Sequence, residues 1–201
     1  MDDIVLKSLA KWPNVPACYG WLAFDRRGNW RMRNEFAQAN GLPGDPIRHE
    51  ALLAFIARNY EQDTEGQWFF QNGPQRVFIE LDYTPWVVRL HPDGHDGLTW
   101  RTSTDAPFAP TACWTDEHGN ILLEGRVGEM TANSIALLHD GDLGLFTQLA
   151  SLYGNACGAL GHVDWQGQRW LIEAIAQGDV PKQFGFVLSP LARQATLASA
   201  S

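Results

Sequence analysis

Two carboxylates, Glu80 and Asp82, occupy alternate positions of the segment RVFIELDY at residues 76–83. Apolar and polar residues alternate along this segment, which predicts a β-strand in which both acids point to the same side. Alternate positions on one side of a strand lie about 7 Å apart, a separation that suits the acid/base pair of a hydrolase. A solvated strand face whose acids pair with neighbouring arginines explains the same pattern. Phe78 shares that face, and a mixture of acidic and aromatic side chains is also typical of a binding cleft.

Arg101 is a cation in the otherwise uncharged segment LTWRTST at residues 98–104. Because an unpaired buried charge is costly, the guanidinium needs either a carboxylate partner or an anionic ligand. One alternative is a structural ion pair with Asp105 or with the acids of the earlier strand, and the other is ligand binding. Trp100 adjoins Arg101, and Trp86 begins another predicted strand, so both offer stacking surface. The predicted ligand-binding site comprises Arg101, Trp100, Trp86, Asp82 and Glu80, and we expect no catalytic residue.

The segment HPDGHDG at residues 91–97 is the nearest approach to a metal-binding cluster. His91 and His95, with Asp93 and Asp96, are ligand types that suit zinc or another transition metal. The Pro and Gly residues predict a polar loop, however, so the histidine spacing does not place both imidazoles on one helix face. The sequence also lacks a Walker loop, a dinucleotide-binding fingerprint and a Gly-x-Ser-x-Gly elbow. We therefore expect neither a metal ion nor a cofactor.

The composition restricts the class of partner. The chain of 201 residues carries a net charge of −8, which disfavours nucleic acid and anionic membrane surfaces because both require a basic protein face. Its 45 % hydrophobic content and 9 Trp residues provide for a sizeable core and for binding clefts. The expected partner is a small molecule or another protein, and the sequence leaves the formation of a homodimer undecided.

The cysteines and the start of the chain bear on localisation. Cys18, Cys113 and Cys157 form no Cys-x-x-Cys motif and indicate free thiols in a reducing compartment. A Cys–His nucleophilic pair stays open, although inert buried thiols fit the aromatic surroundings of Cys18 and Cys113. The start of the chain lacks the apolar core of a signal peptide, and no apolar run approaches the length of a membrane span. These features predict a cytoplasmic protein.

The pentapeptide Asp-x-x-Gly-Asn occurs at residues 25–29 and again at residues 116–120. Each copy predicts a hairpin turn, and each is followed by a helical pattern and then by a Trp-bearing pair of strands. The first set is a hairpin over 18–33, a helix over 45–62 and strands over 67–91. Asp45 and Pro46 fit the N-cap and first turn of this helix, and a start nearer His49 is the alternative. The second set is a hairpin over 112–127, a helical region over 134–153 that stops at Gly154-Asn155, and strands over 162–175.

These sets predict an α+β fold with mostly antiparallel sheets from hairpins and two helical segments, built from an internally repeated hairpin–helix–strand unit. The predicted divisions of the chain are an N-terminal helix with its lead-in (1–16), a first α+β repeat (17–105), a second, related repeat (106–190) and a flexible tail (191–201). A last strand over 184–189 precedes the tail.

Five segments follow one another in a characteristic order over roughly residues 25–175. They are IRHEALLAFIARNYEQDTEGQWFF, QRVFIELDYTPWVVRL, LTWRTSTD, SIALLHDGDLGLFTQL and HVDWQGQRWLI. In this order the chain resembles the bacterial domain-of-unknown-function family numbered 1285. It departs from the family pattern at Tyr83-Thr84-Pro85-Trp86, where the family has Asp-x-Pro-Phe, so an uncharacterised proteobacterial sister family is the alternative. The resemblance implies an α+β fold with repeated motifs and a role in signal transduction, and it transfers no catalytic residue.

The sequence therefore favours a binding module, in which a cleft between the two repeats senses a small anionic ligand through Arg101 and its neighbours. A protein–protein interaction subunit without a small-molecule pocket is the first alternative, and it predicts an exposed apolar patch and a symmetric dimer. A hydrolase that uses Glu80 and Asp82, or a Cys–His pair, is the second alternative. It predicts a shifted pKa at one of those groups within a closed pocket.

Overall fold

The structure, a computed structural model, describes residues 1–95, 97–153 and 159–199. Three features named above lie outside the described residues, namely Asp96 of the histidine loop, the helix stop at Gly154-Asn155 and the thiol of Cys157. The chain divides into two compact units. Unit 1 comprises Met1–Asp25, Asn29–Tyr83 and Gly185–Ser201, and unit 2 comprises Arg26–Gly28 and Thr84–Phe184.

The described chain combines short helices with two mixed sheets, which confirms the predicted α+β class. The elements before residue 85 are α1 (Asp3–Lys11), β1 (Cys18–Phe24), β2 (Trp30–Met32), α2 (Glu35–Ala39), β3 (Asp45–Pro46), α3 (Glu50–Arg58), β4 (Tyr60–Gln62), β5 (Trp68–Asn72) and β6 (Gln75–Leu81). Those that follow are β7 (Trp86–Pro92), β8 (Leu98–Thr102), β9 (Phe108–Thr115), β10 (Ile121–Val127), β11 (Ser134–Leu138), α4 (Leu143–Phe146), β12 (Ala150–Leu152), β13 (Gly161–Trp165), β14 (Gln168–Ala174), α5 (Val180–Gln183) and α6 (Pro190–Ser199).

Helix α3 begins at the later of its two predicted starts because His49 caps it, and Asp45–Pro46 is a strand. The Nδ1 atom of His49 accepts the backbone N–H of Leu52 at 3.2 Å, which satisfies one of the free donors of the first turn. The helix buries Ile56, and Phe55 packs edge-on against Phe70 of β5 with ring centroids 5.4 Å apart. Among the described residues, no helix combines the length and the apolar character required to cross a bilayer.

Each unit contains one mixed sheet in which antiparallel pairs are the majority. The six strands of unit 1 lie in the order β3-β2-β1-β6-β5-β4, and β1 and β6 are its parallel neighbours. The eight strands of unit 2 lie in the order β12-β13-β14-β9-β10-β11-β7-β8, with parallel pairs at β14–β9 and at β11–β7. A parallel pair needs a long connection between its strands, so these pairs bring distant parts of the chain together.

The strand order of unit 1 recurs in unit 2, where β11-β10-β9-β14-β13-β12 corresponds to β3-β2-β1-β6-β5-β4. The central parallel pairs also agree in register. Leu22 lies opposite Ile79 in unit 1, and Cys113 lies opposite Ile172 in unit 2. Leu22 and Cys113 occupy the same position relative to the Asp-x-x-Gly-Asn motif that follows each of them. The internally repeated plan is therefore confirmed, and β7 and β8 extend the second sheet beyond it.

Several segments differ from the sequence-based expectation. Both predicted helical ranges are too long: Asp45–Pro46 and Tyr60–Gln62 form β3 and β4, and Ala150–Leu152 forms β12. Ser134–Leu138, predicted as the start of a helical region, forms β11 between β10 and β7. A short apolar run is compatible with a helix or with a buried strand, and here the pairing on both sides decides for the strand. The predicted strand over 184–189 is irregular, although the carbonyl of Leu188 accepts the N–H of Leu81 at 2.8 Å. Residues 190–199, most of them in the predicted flexible tail, form α6.

The placement of β7 and β8 also differs from the predicted grouping. Both strands belong to the sheet of unit 2, whereas the predicted first repeat spans residues 17–105. The physical reason is the parallel pairing of β7 with β11, which the local sequence does not encode. The division of the chain into domains at residue 105 stays a prediction.

The repeated pentapeptide forms a turn that is fixed by its aspartate. Asp116 Oδ1 accepts the backbone N–H groups of His118 and Asn120 at 2.9 and 3.0 Å, and Asp116 Oδ2 accepts Asn120 Nδ2 at 2.7 Å. A third turn has the same bonds with Gln in the last position. There, Asp63 accepts the backbone N–H and the side-chain amide of Gln67 at 2.8 and 3.0 Å. The motif therefore fixes the conformation of the turn and keeps the two strands of the hairpin in register.

Candidate ligand-binding site

Arg101 lies on β8 in unit 2 and pairs with Asp105. Its Nη1 atom donates to the backbone carbonyl and to Oδ1 of Asp105 at 2.9 and 3.2 Å, so the ion-pair alternative is present in the structure. Trp100 is 1 % exposed and packs against Trp165 with ring centroids 5.4 Å apart, and Trp86 is 3 % exposed. Both predicted stacking residues therefore belong to the core of unit 2. A ligand-binding role for Arg101 stays a prediction.

Glu80 and Asp82 lie in unit 1, on β6 and just after it. Glu80 accepts the hydroxyl of Ser189 at 2.5 Å and the backbone N–H of Leu191 at 3.1 Å. Both carboxylate oxygens therefore bind the start of α6, which gives Glu80 a structural function. Asp82 is exposed, and its backbone N–H donates to the carbonyl of Phe24 at 3.0 Å. The predicted site residues thus fall in two units, and a cleft that unites them stays a prediction.

The groups considered for covalent or metal chemistry have ordinary structural surroundings. Burial raises the pKa of Cys113 to about 12, and burial also raises the pKa of Cys18. Both side chains are therefore thiols at neutral pH and poor nucleophiles. His91 and His95 are exposed. Within residues 1–95, 97–153 and 159–199, no three His, Cys, Asp or Glu residues are grouped so that they could hold a metal ion.

Unit 2 contains a cavity of about 550 Å³, which we call the apolar pocket. Its lining from strands β9, β10 and β14 includes Thr115, Ile121 and Ile172, and α4 contributes Leu143 and Phe146. Further lining residues lie on β12 and beside it, namely Thr147, Ala150, Leu152, Tyr153 and Leu160. The volume lies within the roughly 300–1,000 Å³ that is usual for small-molecule sites.

The repeat explains why the apolar pocket exists. Four equivalent positions of the two sheets hold aromatic residues in unit 1 and smaller residues in unit 2: Phe24 and Thr115, Trp30 and Ile121, Tyr60 and Ala150, and Trp68 and Gly161. The strand pairings establish this equivalence. For example, Tyr60 lies opposite Phe70 at the sheet edge of unit 1, and Ala150 lies opposite Val163 at the same place in unit 2.

In unit 1 the four aromatic side chains fill the equivalent space with a continuous cluster. The ring centroids of Phe24 and Trp30 lie 4.9 Å apart, those of Trp30 and Tyr60 lie 5.0 Å apart, and those of Tyr60 and Trp68 lie 4.7 Å apart. Each of the four residues is at most 6 % exposed. In unit 2, three of the four equivalent residues, Thr115, Ile121 and Ala150, line the apolar pocket.

A second cavity of unit 2, of about 250 Å³, is the polar pocket. Its lining consists of Arg26, Arg27, Gly119, Asn120, Ile121, Leu137, Leu138, Asp140 and Leu143. Arg27 Nε and Nη2 donate to Asp140 Oδ2 at 3.1 and 2.6 Å, and this hydrogen-bonded guanidinium lowers the pKa of Asp140. The side chains of this pair are 67 and 52 % exposed, so the ion pair is accessible to solvent.

Asp142 holds the wall of the apolar pocket in place. It is 4 % exposed and lies immediately before α4. Arg89 Nη2 donates to Asp142 Oδ1 at 2.9 Å, while Arg89 Nε and the N–H of Leu90 donate to Oδ2 at 3.0 and 3.1 Å. The guanidinium of Arg89 holds the pKa of Asp142 below its ordinary value, because it stabilises the carboxylate form. These bonds tie the start of α4, and therefore Leu143, to β7.

None of the residues predicted for ligand binding lines either pocket. The sequence nevertheless contains a signal for the apolar pocket. When the two Asp-x-x-Gly-Asn copies are aligned, Phe24 corresponds to Thr115 and Trp30 corresponds to Ile121, so both flanks of the second turn lose an aromatic ring. The loss of bulk in one copy of a repeat indicates a space. This signal consists of missing rings and not of residues that carry reactive groups.

Two solved structures resemble this chain. The crystal structure of a DUF1285 family protein from Silicibacter pomeroyi DSS-3 has 16 % sequence identity and a TM-score of 0.50, and the match covers 87 % of this chain and 97 % of that chain. A DUF1285 family protein from Shewanella baltica OS155 has 12 % identity and a TM-score of 0.38, over 64 % of this chain and 91 % of that chain. The first of these matches confirms the resemblance to family 1285 as a likeness of fold.

The family comparison covers nearly the whole chain. No curated protein matches the sequence. A family model described as "Protein of unknown function (DUF2946)" matches residues 1–191. The chain therefore belongs to this family of proteins of unknown function.

Proposed function

We propose that the protein is a binding module for a small molecule and that its ligand occupies the apolar pocket of unit 2. The observation that carries this proposal is the replacement of three aromatic residues of the unit 1 cluster by Thr115, Ile121 and Ala150, all of which line the apolar pocket. Protein interiors are packed about as densely as organic crystals and contain few voids larger than a water molecule. A space that one repeat fills with its own side chains and the other leaves open is therefore suited to a ligand.

The lining of the apolar pocket fits a molecule with a mainly apolar body. Phe146 and Ile172 supply apolar surface, and the hydroxyls of Thr115, Thr147 and Tyr153 are the polar groups of its side chains. Small-molecule sites commonly combine a mainly apolar lining with a few polar groups that fix orientation. Each ligand CH₂ that leaves water contributes about 0.8 kcal/mol, so even a modest apolar body gains useful affinity.

The predicted sensing role fits this site without requiring Arg101. In this proposal, a cytoplasmic protein senses its ligand in signal transduction, and recognition begins in the apolar pocket. The hydrolase alternative loses its main support because both oxygens of Glu80 bind the start of α6. Exposed apolar side chains such as Trp12 and Phe36 are compatible with the interaction-subunit alternative, but they identify no partner.

The test uses a substitution that copies a residue of unit 1 into the equivalent position of unit 2. Ala150→Tyr places in the apolar pocket the residue type that fills the equivalent position, Tyr60, of unit 1. We expect wild-type protein to bind the neutral fluorescent probe N-phenyl-1-naphthylamine with enhanced emission, and Ala150→Tyr to lose this binding. Ala54→Tyr is the matched control, because Ala54 is exposed on α3 and lies outside the apolar pocket.

The control separates loss of the pocket from a general effect of an added ring. Probe binding by wild type and by Ala54→Tyr, with loss in Ala150→Tyr, supports the proposal. Unchanged binding in Ala150→Tyr places the probe elsewhere and contradicts it. Absence of binding by the wild-type protein also contradicts it, because an open apolar pocket of this volume should admit a neutral aromatic molecule.

A further inference from the structure

The two pockets of unit 2 border each other. Gly119, Ile121 and Leu143 line both of them. The apolar pocket has a volume of about 550 Å³ and no charged side chain among its described lining residues. The polar pocket has a volume of about 250 Å³, and three of its lining residues are charged. A molecule that occupies both pockets therefore needs an apolar body and a polar head.

The charges of the polar pocket favour an anionic head. Two of its three charged lining residues, Arg26 and Arg27, are cations. The third, Asp140, is a carboxylate that Arg27 already binds. The planar guanidinium group binds carboxylates through two parallel donors, which makes arginine well suited to such a head.

Asp140 shows how a carboxylate binds in this pocket. One of its oxygens, Oδ2, accepts both Nε and Nη2 of Arg27. The side chain of Asp140 is 52 % exposed, so it can turn towards solvent when another carboxylate takes its place. Asp140 therefore competes with an incoming anion for Arg27.

We infer that the ligand is an amphiphilic monocarboxylate whose alkyl chain fills the apolar pocket and whose head binds Arg26 and Arg27. This inference rests on the proposed function, because it assigns a ligand class to the same site. The chain supplies affinity through burial of apolar surface, and the head supplies selection by charge.

The first experiment compares octanoate, octanol and octyltrimethylammonium, which have different heads. The alkyl chain of octanoate is one carbon shorter than the other two, so chain length does not favour octanoate. Each is titrated against N-phenyl-1-naphthylamine bound to the wild-type protein. We expect octanoate to displace the probe with an affinity about tenfold higher than octanol, and octyltrimethylammonium to bind more weakly than octanol. The preference for octanoate should shrink at about 1 M sodium chloride, where the Debye length is about 3 Å, while octanol should bind as before.

Two variants assign the preference to the polar pocket. In the double variant Arg26→Gln/Arg27→Gln, octanoate should fall to the affinity of octanol, while octanol and the probe bind as in wild type. Asp140→Asn removes the internal competitor, so octanoate should bind about threefold or more tightly than it does to wild type, with octanol unchanged. Retained probe binding shows that each variant is folded, and the comparison of heads on the wild-type protein needs no variant at all.

The outcomes distinguish the inference from the proposed function beneath it. Equal binding of octanoate, octanol and octyltrimethylammonium, or tightest binding of octyltrimethylammonium, overturns the monocarboxylate inference while the apolar pocket stands as a ligand site. A preference for octanoate that survives in the double variant also overturns the assignment to Arg26 and Arg27. If neither the probe nor any octyl compound binds, the proposed function and the inference fail together.

Discussion

Replacing Tyr60 by alanine should open in unit 1 the space that unit 2 already has. Tyr60 is 6 % exposed, and its ring lies between those of Trp30 and Trp68, with centroid distances of 5.0 and 4.7 Å. The two tryptophans belong to different strands of the sheet and cannot close the gap without moving the backbone. The substitution should therefore leave a cavity.

The expected loss is a large share of the stability of the protein. Substitution of a buried aromatic residue by alanine costs about 3–5 kcal/mol, because burial is lost and a cavity remains. Total free energies of unfolding are about 5–15 kcal/mol. For a chain of this length, each kcal/mol lowers the melting temperature by roughly 2–4 °C. The reciprocal variant, Ala150→Tyr, adds a ring to an open pocket and should change the stability by only about 1 kcal/mol.

Urea denaturation of wild type, Tyr60→Ala and Ala150→Tyr measures this asymmetry. The account requires a cost of several kcal/mol for the first variant and a small change for the second. A loss below about 1 kcal/mol for Tyr60→Ala would show that the aromatic cluster is not a packed core. A loss in Ala150→Tyr as large as that in Tyr60→Ala would refute the structural equivalence of the two positions.

Further predictions concern the turns and the pocket wall. Gly66 and Gly119 both have positive φ, of 81° and 76°, but a Cβ at Gly66 would lie 2.6 Å from the carbonyl oxygen of Gly185, whereas a Cβ at Gly119 meets no atom within 4 Å. Gly119→Ala should therefore lower the unfolding free energy by about 1–2 kcal/mol, because only the left-handed backbone is strained. Gly66→Ala should lower it clearly more. Thermal melts measure both losses, and equal losses would argue against the close approach of Gly66 to Gly185. Asp142→Asn removes a carboxylate whose pKa in the folded protein is held by Arg89 below its ordinary value of 3.8. Because the pKa of Asp142 is lower in the folded than in the unfolded protein, its stabilisation is complete above about pH 5 and is lost as the pH falls through the folded-state pKa. In urea denaturation, the difference in unfolding free energy between wild type and Asp142→Asn should therefore be constant near neutral pH and should narrow below about pH 4. A difference that does not depend on pH would contradict this role of Asp142.

Local signals predicted much of the fold. The Asp-x-x-Gly-Asn turns, the hairpins and the start of α3 near His49 depend on residues a few positions apart, and the structure contains them. The pairing of Arg101 with Asp105 was one of the predicted alternatives for the same reason, since the two residues are separated by only four positions. The repetition of the whole plan followed from the matching order of the elements.

Long-range pairing explains what the sequence could not reveal. Glu80 binds Ser189, which lies 109 positions further along the chain, and no local pattern connects the two. Strand β11 was predicted as helix because its apolar run is compatible with both structures, and its pairing with β7 and β10 decides the outcome. The apolar pocket escaped prediction because it depends on absent bulk at positions such as Ala150, a small residue that has no chemistry of its own.

The central claim is that a ligand occupies the apolar pocket of unit 2, and anomalous diffraction from crystals soaked with 8-bromooctan-1-ol tests it most directly. This probe is neutral, so the result does not depend on the class of ligand head. The account predicts a bromine peak within the apolar pocket, beside Phe146 and Ile172, and loss of that peak in crystals of Ala150→Tyr. A bromine peak at another place on the protein, or a peak that persists in Ala150→Tyr, would contradict the account.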